Sequence, residues 1–273
     1  MDNIRKFEQV AAEVARAAGD LLLNHFRTDI TVSHKGEIDL VTEVDIASEG
    51  LIVSRLRDAF PGHTILAEEK HAARPGGSHV WIVDPLDGTV NYAHGIPIFA
   101  VSIGLEIDGE LACGAVYSPV LDELFTARRG GGSFRNGRQI KVSSTPRLAD
   151  SLIATGFPYD IRTSPKNNLD NFREFAPRAQ GLRRGGSAAL DFCYVAAGHL
   201  DGFWEVSLHP WDCAAGYLIV REAGGTVTNF DGAQGSIYER EMVSSNSLIH
   251  GEMLAVLQKV RSQVTLKGPK GRH

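Results

Sequence analysis

The sequence predicts a mixed α/β (α+β) fold of layered mixed sheets, and three observations lead there. Stretches of helical periodicity are interleaved with short β-branched runs along the whole chain. Several of those runs are joined by tight-turn pairs, Asp108-Gly109 and Asn136-Gly137, which make hairpins and argue against a purely parallel, doubly wound sheet. A length of 273 residues implies one large core or two halves sharing a cleft, and either can house a small-molecule site.

Each element has its own signal. Ile4, Phe7, Val10, Val14, Ala17, Ala18, Leu21 and Leu22 recur at helical spacing and predict a long first helix that fades near Phe26. A second helix follows Thr42, which can cap it while Asp45 closes a capping box, and Pro61-Gly62 ends it. Thr64–Ala67 and His79–Val83 read as short strands that finish at acidic residues. Ile98–Ile107 and Leu111–Tyr117 form a hairpin, which Leu124–Ala127, Gly130–Gly132 and the Asn136-Gly137 turn extend. Beyond a soft boundary near residue 150 come a strand at Leu152–Thr155, helices near Lys166–Phe175 and Ser187–Ala197, and a strand at Gly202–Val206. A helix from Trp211 to Ala223, strands at Thr226–Phe230 and Met242–Ser244, and a last helix near Gly251–Val260 complete the pattern. This gives one unit over 1–265, with halves 1–150 and 151–265, and a basic, disordered tail at 266–273.

Composition narrows the function classes. Hydrophobic residues make up 43% and charged residues 22%, with no run of eighteen apolar residues, so a membrane protein is not expected. The formal charge of −5 argues against a broad nucleic-acid footprint. The amino-terminal stretch carries Glu8, Glu13 and Arg16 rather than the apolar core of a secretory signal, and Cys113, Cys193 and Cys213 form no CxxC pair. Both features fit buried free thiols in a reducing cytoplasm.

The most informative segment is Trp81-Ile82-Val83-Asp84-Pro85-Leu86-Asp87-Gly88-Thr89, where an apolar strand runs into two acids across a Pro-Gly turn. Carboxylates converging on one point repel unless they are protonated or a cation neutralises them, and oxygen-only ligands suit Mg²⁺ rather than zinc. The amides of Gly88 and Thr89 can open a short helix beside such a site and bind phosphate. The bland alternative is a surface turn. A haloacid-dehalogenase-type phosphatase would need a nucleophilic Asp where this chain has Pro85, which cannot attack phosphorus.

Three blocks then carry a family resemblance: Ala67-Glu68-Glu69, Asp84-Pro85-Leu86-Asp87-Gly88-Thr89 and Trp211-Asp212-Cys213-Ala214-Ala215-Gly216, with Lys35-Gly36, Asp39-Leu40-Val41-Thr42 and Asp45 before them and Gly186-Ser187-Ala188-Ala189 and Glu205 placed between the second and third. In these residues, over nearly its whole length, the chain resembles the inositol monophosphatase family. The resemblance implies an αβαβα sandwich, a homodimer, two or three Mg²⁺ ions and inhibition by lithium. It implies one metal held by Glu68, Asp84 and the carbonyl of Leu86, and a second held by Asp84, Asp87 and Asp212. Two such ions can polarise a phosphate, activate water and stabilise the leaving alkoxide. It places Thr89, paired with Glu68, and Lys35 at the attacking water. Gly88, Thr89, Ser187, Ala188, Glu205 and Asp212 are placed around a small phosphorylated polyol, inositol 1-phosphate first.

Bland readings stand beside these. Asp212 at a helix start can simply cap amides, and Ser187 can do the same. Glu69 reads equally as a solvated or supporting acid or as a functional one, Asp39 and Asp45 as support for the Lys35 loop and the helix cap, and His209 as a neighbour of the site. The pair Arg183-Arg184 reads as exposed charge, or as a contact for an acidic substrate or a subunit. The same chemistry on fructose 1,6-bisphosphate, histidinol phosphate or a 3′- or 2′-phosphonucleotide is the nearest alternative. An interaction partner of transcription or RNA-processing machinery, with secondary phosphatase activity, is the alternative of another class.

Overall fold

The structure, a computed structural model, describes residues 2–28, 31–34, 40–69 and 76–267. Lys35, Gly36, Asp39 and the tail from residue 268 lie outside the described residues. Helix α1 (Asp2–His25) is followed by a small antiparallel hairpin of β1 (Val32–His34) and β2 (Leu40–Thr42), whose three-residue strands are too short for periodicity to reveal. Helix α2 (Glu43–Ala59) starts as predicted: Thr42 Oγ1 accepts the amides of Val44 and Asp45, and the Asp45 carboxylate accepts the Thr42 amide at 2.9 Å.

Next come β3 (Thr64–Ala67), β4 (His79–Asp87) and the short helix α3 (Thr89–Ala93). An antiparallel run follows: β5 (Ala100–Ile107), β6 (Glu110–Ser118), β7 (Glu123–Arg128), β8 (Gly132–Arg135) and β9 (Arg138–Ile140). The second half holds β10 (Leu152–Thr155), α4 (Leu169–Phe175), β11 (Gly181–Arg183), α5 (Ala188–Ala196), β12 (Gly202–Val206), α6 (Pro210–Glu222), β13 (Thr226–Thr228), β14 (Glu241–Ser245) and α7 (His250–Lys267). The last helix outruns its predicted end at Val260 and takes in Lys267, which the sequence reading assigned to the tail. Strand β11 went unpredicted because Gly181-Leu182-Arg183 carries no alternation.

The seven-stranded sheet has the order β3-β4-β5-β6-β7-β8-β9, with β3 and β4 parallel and every other pair antiparallel. The five-stranded sheet has the order β11-β10-β12-β14-β13, with β10 parallel to both neighbours. Helices α1 and α2 cover one face of the larger sheet, α5 and α6 fill the space between the sheets, and α4 and α7 cover the far face of the smaller one. This is the αβαβα sandwich. The period-2 rule sorts β4 between the layers: Val80 and Ile82 join the α5/α6 core, whereas Trp81 and Val83 join the α1/α2 core.

Helix α6 lies unusually close to the larger sheet. A Cβ on Gly104 of β5 would come within 2.9 Å of Ala214 Cβ, and one on Gly114 of β6 within 2.8 Å of Ala215 Cα. On the helix itself, a Cβ on Gly216 would meet Phe192 of α5 at 2.6 Å. Glycines on the sheet and small residues on the helix thus bring two backbones together, which seats the start of α6 against the carboxyl end of β4. Gly114→Ala should therefore remove about 1–3 kcal/mol of stability, because the atom it strikes is backbone and cannot swing aside. Gly251→Ala on α7, with open space around it, should cost nothing, and thermal melts of the two variants against the parent measure the difference.

Candidate active site

Asp84 and Asp87 come from one strand, and a strand places residues three apart on opposite faces. The sequence reading supplied a Pro-Gly turn to reconcile them; the structure shows that β4 continues through Asp87 and bulges instead. Asp84 pairs with Ser102 and Asp87 with Ala100, so three steps on β4 match two on β5. The extra residue reverses the parity: Leu86 now belongs to the α1/α2 core, and Asp87 turns toward α5 with Asp84. Pro85 suits this position because it has no ladder N–H to lose, and Ser48 Oγ donates to its carbonyl at 2.9 Å.

Around this bulge a cavity of about 460 Å³ opens at the carboxyl end of β4 and the amino ends of α5 and α6. Of the residues predicted for the site, Glu68, Asp84, Leu86, Asp87, Gly88, Thr89, Ser187, Ala188, Glu205 and Asp212 all line it. Lys35 lies outside the described residues. Gly88 adopts φ 95°, and a Cβ there would meet the carbonyls of Ile98 at 3.0 Å and Gly186 at 3.2 Å, so only glycine turns the chain from β4 into α3. Asp191, Arg184 and Arg240 also line the cavity. Asp191 sits in the first turn of α5 inside an apolar helical run, where nothing but its being a lone acid marked it.

The hydrogen bonds assign each group a local task. The Asp87 carboxylate receives Ser187 Oγ and the amides of Ala188 at 3.3 Å and Ala189 at 2.8 Å, so it docks the amino end of α5. Ser187 caps α5 through Leu190 N–H at 3.3 Å and binds Asp87 as well, so its capping reading and a place at the cavity coexist. Asp84 Oδ1 accepts Leu86 N–H at 3.0 Å, and Asp212 Oδ2 accepts His209 N–H at 2.7 Å. The His209 ring stacks on Trp211 at 4.7 Å, the neighbouring position its reading gave it.

Thr89 departs from the expected pairing. Its hydroxyl lies 3.1 Å from Asp45 Oδ1 and 3.0 Å from the carbonyl of Leu86, not on Glu68. Asp45, buried at the start of α2, therefore reaches the site through Thr89. The sequence reading gave Asp45 only the helix cap, which uses its other oxygen. The Leu86 carbonyl, assigned to a metal, is the second acceptor for this hydroxyl.

Electrostatics show what the arrangement lacks. Burial raises the Asp84 carboxyl well above the usual range, and Glu68, Asp87 and Asp212 push it further. Asp212 is raised by burial, held back by the His209 amide, and pushed again by Glu68, Asp87 and Glu205. Burial lifts Asp87 to about 6 against the hydrogen bonds from α5, and lifts Glu205 to about 8 with help from Asp191 and Asp87. Among the described residues no three His, Cys, Asp or Glu side chains stand as a ready cage for a metal ion, and Asp84, Asp87 and Asp212 each have an oxygen turned to a backbone amide. The donor set itself fits a hard divalent cation, since it is all oxygen and carries like charges that a cation, or protonation, would relieve. The cysteines take no part: Cys113, Cys193 and Cys213 are free, buried packing residues. Among the described residues no helix is long and apolar enough to cross a membrane.

With this geometry in place, comparison with known proteins is specific. The sequence model of the inositol monophosphatase family matches residues 3–263. An inositol-1-monophosphatase of Mesorhizobium japonicum is 44% identical over 253 residues, covering 92% of this chain and 95% of that protein. A protein of Pseudomonas aeruginosa named Nus factor SuhB is 43% identical over 258 residues, covering 91% and 94%. The structure of inositol monophosphatase from Anabaena superposes with a TM-score of 0.87 at 42% identity, covering 94% of this chain and 97% of that one.

The raised carboxyls fix a pH dependence. A group whose folded pKa lies above its unfolded value holds extra protons in the native state, so stability falls as pH rises between the two values. In chelator, the thermal midpoint should fall from about pH 4, the ordinary carboxylate range, toward pH 8, where Glu205 titrates. Acids with lowered values, exposed Asp150 and half-buried Glu174, act below that window, and buried His250, lowered to about 4, opposes the fall only up to its ordinary value. Asp84→Asn, which keeps an acceptor for Leu86 N–H, should raise the midpoint at pH 8 and flatten the slope. A flat profile in the parent protein would mean that the carboxylates do not repel one another in the folded state.

Proposed function

The chain belongs to the inositol monophosphatase family of phosphatases, and from that premise we propose that it hydrolyses the phosphate monoester of a small polyol, with inositol 1-phosphate as its substrate and inositol and phosphate as products. The observation that carries the reading is the meeting of Glu68, Asp84, Asp87 and Asp212, from three separate stretches of chain, on one cavity about 460 Å³ in volume. That volume suits a phosphate joined to a six-carbon polyol.

Glu68, Asp84, Asp87, Asp212 and the Leu86 carbonyl are the groups that would hold two or three Mg²⁺ ions. Bound there, the ions supply positive charge that polarises the phosphate and water and eases departure of the alkoxide. The protein's own residues do the positioning. Thr89, with its proton directed at Asp45, presents its lone pairs to the cavity and accepts a hydrogen bond from the attacking water, which aligns that water's oxygen with phosphorus. Water adds to phosphorus, the phosphorus–oxygen ester bond breaks, and a proton passes to the departing alcohol oxygen. Ser187 and Ala188 hold the amino end of α5 against Asp87 and so fix the wall on which the substrate rests. Glu205, which lines the cavity, is the acceptor proposed for the polyol's hydroxyls. Lys35 keeps its proposed place near the water. A cytoplasmic homodimer inhibited by lithium completes the reading.

The first alternative keeps this chemistry and changes the alcohol, to fructose 1,6-bisphosphate, histidinol phosphate or a 3′- or 2′-phosphonucleotide. The name Nus factor, borne by a relative 43% identical, supports a second reading, in which the protein is also an interaction partner of transcription machinery. Under that reading co-purification of a partner and the associated phenotype survive Asp84→Asn.

Phosphate release from inositol 1-phosphate and the alternative esters, with Mg²⁺ or with EDTA, tests the proposal. Activity should require Mg²⁺ and favour inositol 1-phosphate. Asp84→Asn and Asp212→Asn should each lower kcat by about 10²–10³-fold. Thr89→Ala should lower kcat about 10²-fold with little change in KM, whereas Thr89→Ser should keep most of the activity. Absence of Mg²⁺-dependent release from every ester would refute the phosphatase reading.

A further inference from the structure

At the end of the cavity away from Asp84, two carboxylates stand without a protein donor. Asp191 of α5 is only 5% exposed and lines the cavity. Glu205 of β12 lines it too, and its carboxylate rests against Gly156, where any Cβ would collide with it. Among the described residues no hydrogen bond or ion pair reaches either group. The charge of Asp191 adds to the burial that raises Glu205, and Asp87 acts on both acids. A buried carboxylate without a donor is costly, so whatever fills this end of the cavity is selected for the donors it brings.

The surroundings say which donors. Arg184 also lines the cavity, is exposed, and lowers the affinity of both acids for protons through its charge, without reaching hydrogen-bond distance of either. A second anionic group on the substrate would face Asp191 and Glu205 directly and is disfavoured, whereas hydroxyls bring the donors that both acids lack. The scaffold is also rigid. Asn168, buried, donates to Thr155 Oγ1 at 2.8 Å and to the Gly156 carbonyl at 2.7 Å and accepts from Trp204 Nε1 at 2.9 Å, tying the residue beside Gly156 to the one before Glu205. A carboxylate on a strand fixed in this way, as Glu205 is, selects by set geometry rather than by adapting.

We infer that Asp191 is a substrate-binding residue that, with Glu205, accepts hydrogen bonds from hydroxyls on the alcohol part of the substrate and selects a polyol over an unsubstituted ring. The inference rests on the phosphatase reading above and adds to it a residue that the family blocks did not point to. It also explains an otherwise unpaired acid in the first turn of α5.

The test compares inositol 1-phosphate with cyclohexyl phosphate, the same ring without hydroxyls, on the parent protein with Mg²⁺ and on Asp191→Ala and Asp191→Asn. On inositol 1-phosphate, Asp191→Ala should raise KM about tenfold or more with kcat within about threefold. Asp191→Asn, which keeps one acceptor oxygen, should fall between parent and Asp191→Ala. Neither variant should change the kinetics on cyclohexyl phosphate, and neither should lower the thermal midpoint, since no hydrogen bond is lost. Equal losses on both esters would place Asp191 at the phosphate end and overturn the inference. So would unchanged preference between the esters in an active Asp191→Ala variant, and in that case the phosphatase reading would stand. A parent protein inactive on both esters would overturn the phosphatase reading, and this inference with it.

Discussion

The bulge at Pro85-Leu86 is the constraint on which the rest of the site depends. Strand β4 must serve two cores at once, with alternate side chains in each, and a regular strand would send Asp84 and Asp87 to opposite sides of the sheet. One extra residue brings both to the side of α5. Once there, Asp87 is no longer only a group in a cavity: it holds the amino end of α5 through Ser187, Ala188 and Ala189. Chemistry and architecture share one carboxylate. Removing its charge would loosen the middle helical layer as well as the site, whereas Asp84, bound only by a neighbouring amide, can lose its charge with less structural consequence.

Concentrating acids around one cavity opposes folding, and the sandwich contains that cost by drawing the acids from different layers. Glu68 follows β3, Asp84 and Asp87 belong to β4, Glu205 to β12, and Asp191 and Asp212 to the first turns of α5 and α6. Each helix start offers amides that offset part of the burial penalty, as His209 N–H does for Asp212 and the α5 amides do for Asp87. The close seating of α6 on Gly104 and Gly114 holds Asp212 opposite β4 without a long side chain to span the gap. The remaining repulsion is not relieved by the protein, and that is the sense in which the site is built for cations.

Much of this was legible in the sequence because the signals were local. The Thr42–Asp45 capping box, the strands at Thr64–Ala67, Leu152–Thr155 and Gly202–Val206, and the hairpin around Asp108-Gly109 depend on a few adjacent residues, and the structure has them. What was not legible needed the third dimension. The bulge is a mismatch between two strands and cannot be seen in either alone. Asp45's bond to Thr89 crosses from α2 to α3, and an acid with an evident capping task gave no reason to look for a second one. Asp191 drew no reading from the sequence, since helical spacing shows which face a residue shares but not that the face opens on a cavity. The hairpin of β1 and β2 and strand β11 are set by tertiary pairing, and their three residues each leave no pattern.

These placements divide the cavity into two ends with different physics. At the β4 end, Asp84, Asp87 and Asp212 are each bound by a nearby amide and repel one another, an arrangement that suits positive charge and, through it, phosphate. At the other end, Asp191 and Glu205 have no amide and no protein donor, so they recognise hydrogen-bond donors without regard to phosphate. The two ends share the α5 helix, whose start binds Asp87 through Ser187 and Ala188 and whose first turn carries Asp191 to the cavity wall that Glu205 also lines. A substrate must satisfy both ends of that turn simultaneously, so the distance between its phosphate and its hydroxyls is read against a rigid helix. Exchange of the alcohol among related enzymes therefore need not disturb the carboxylates on β4, because selection and chemistry are carried by different turns and strands that meet only at α5.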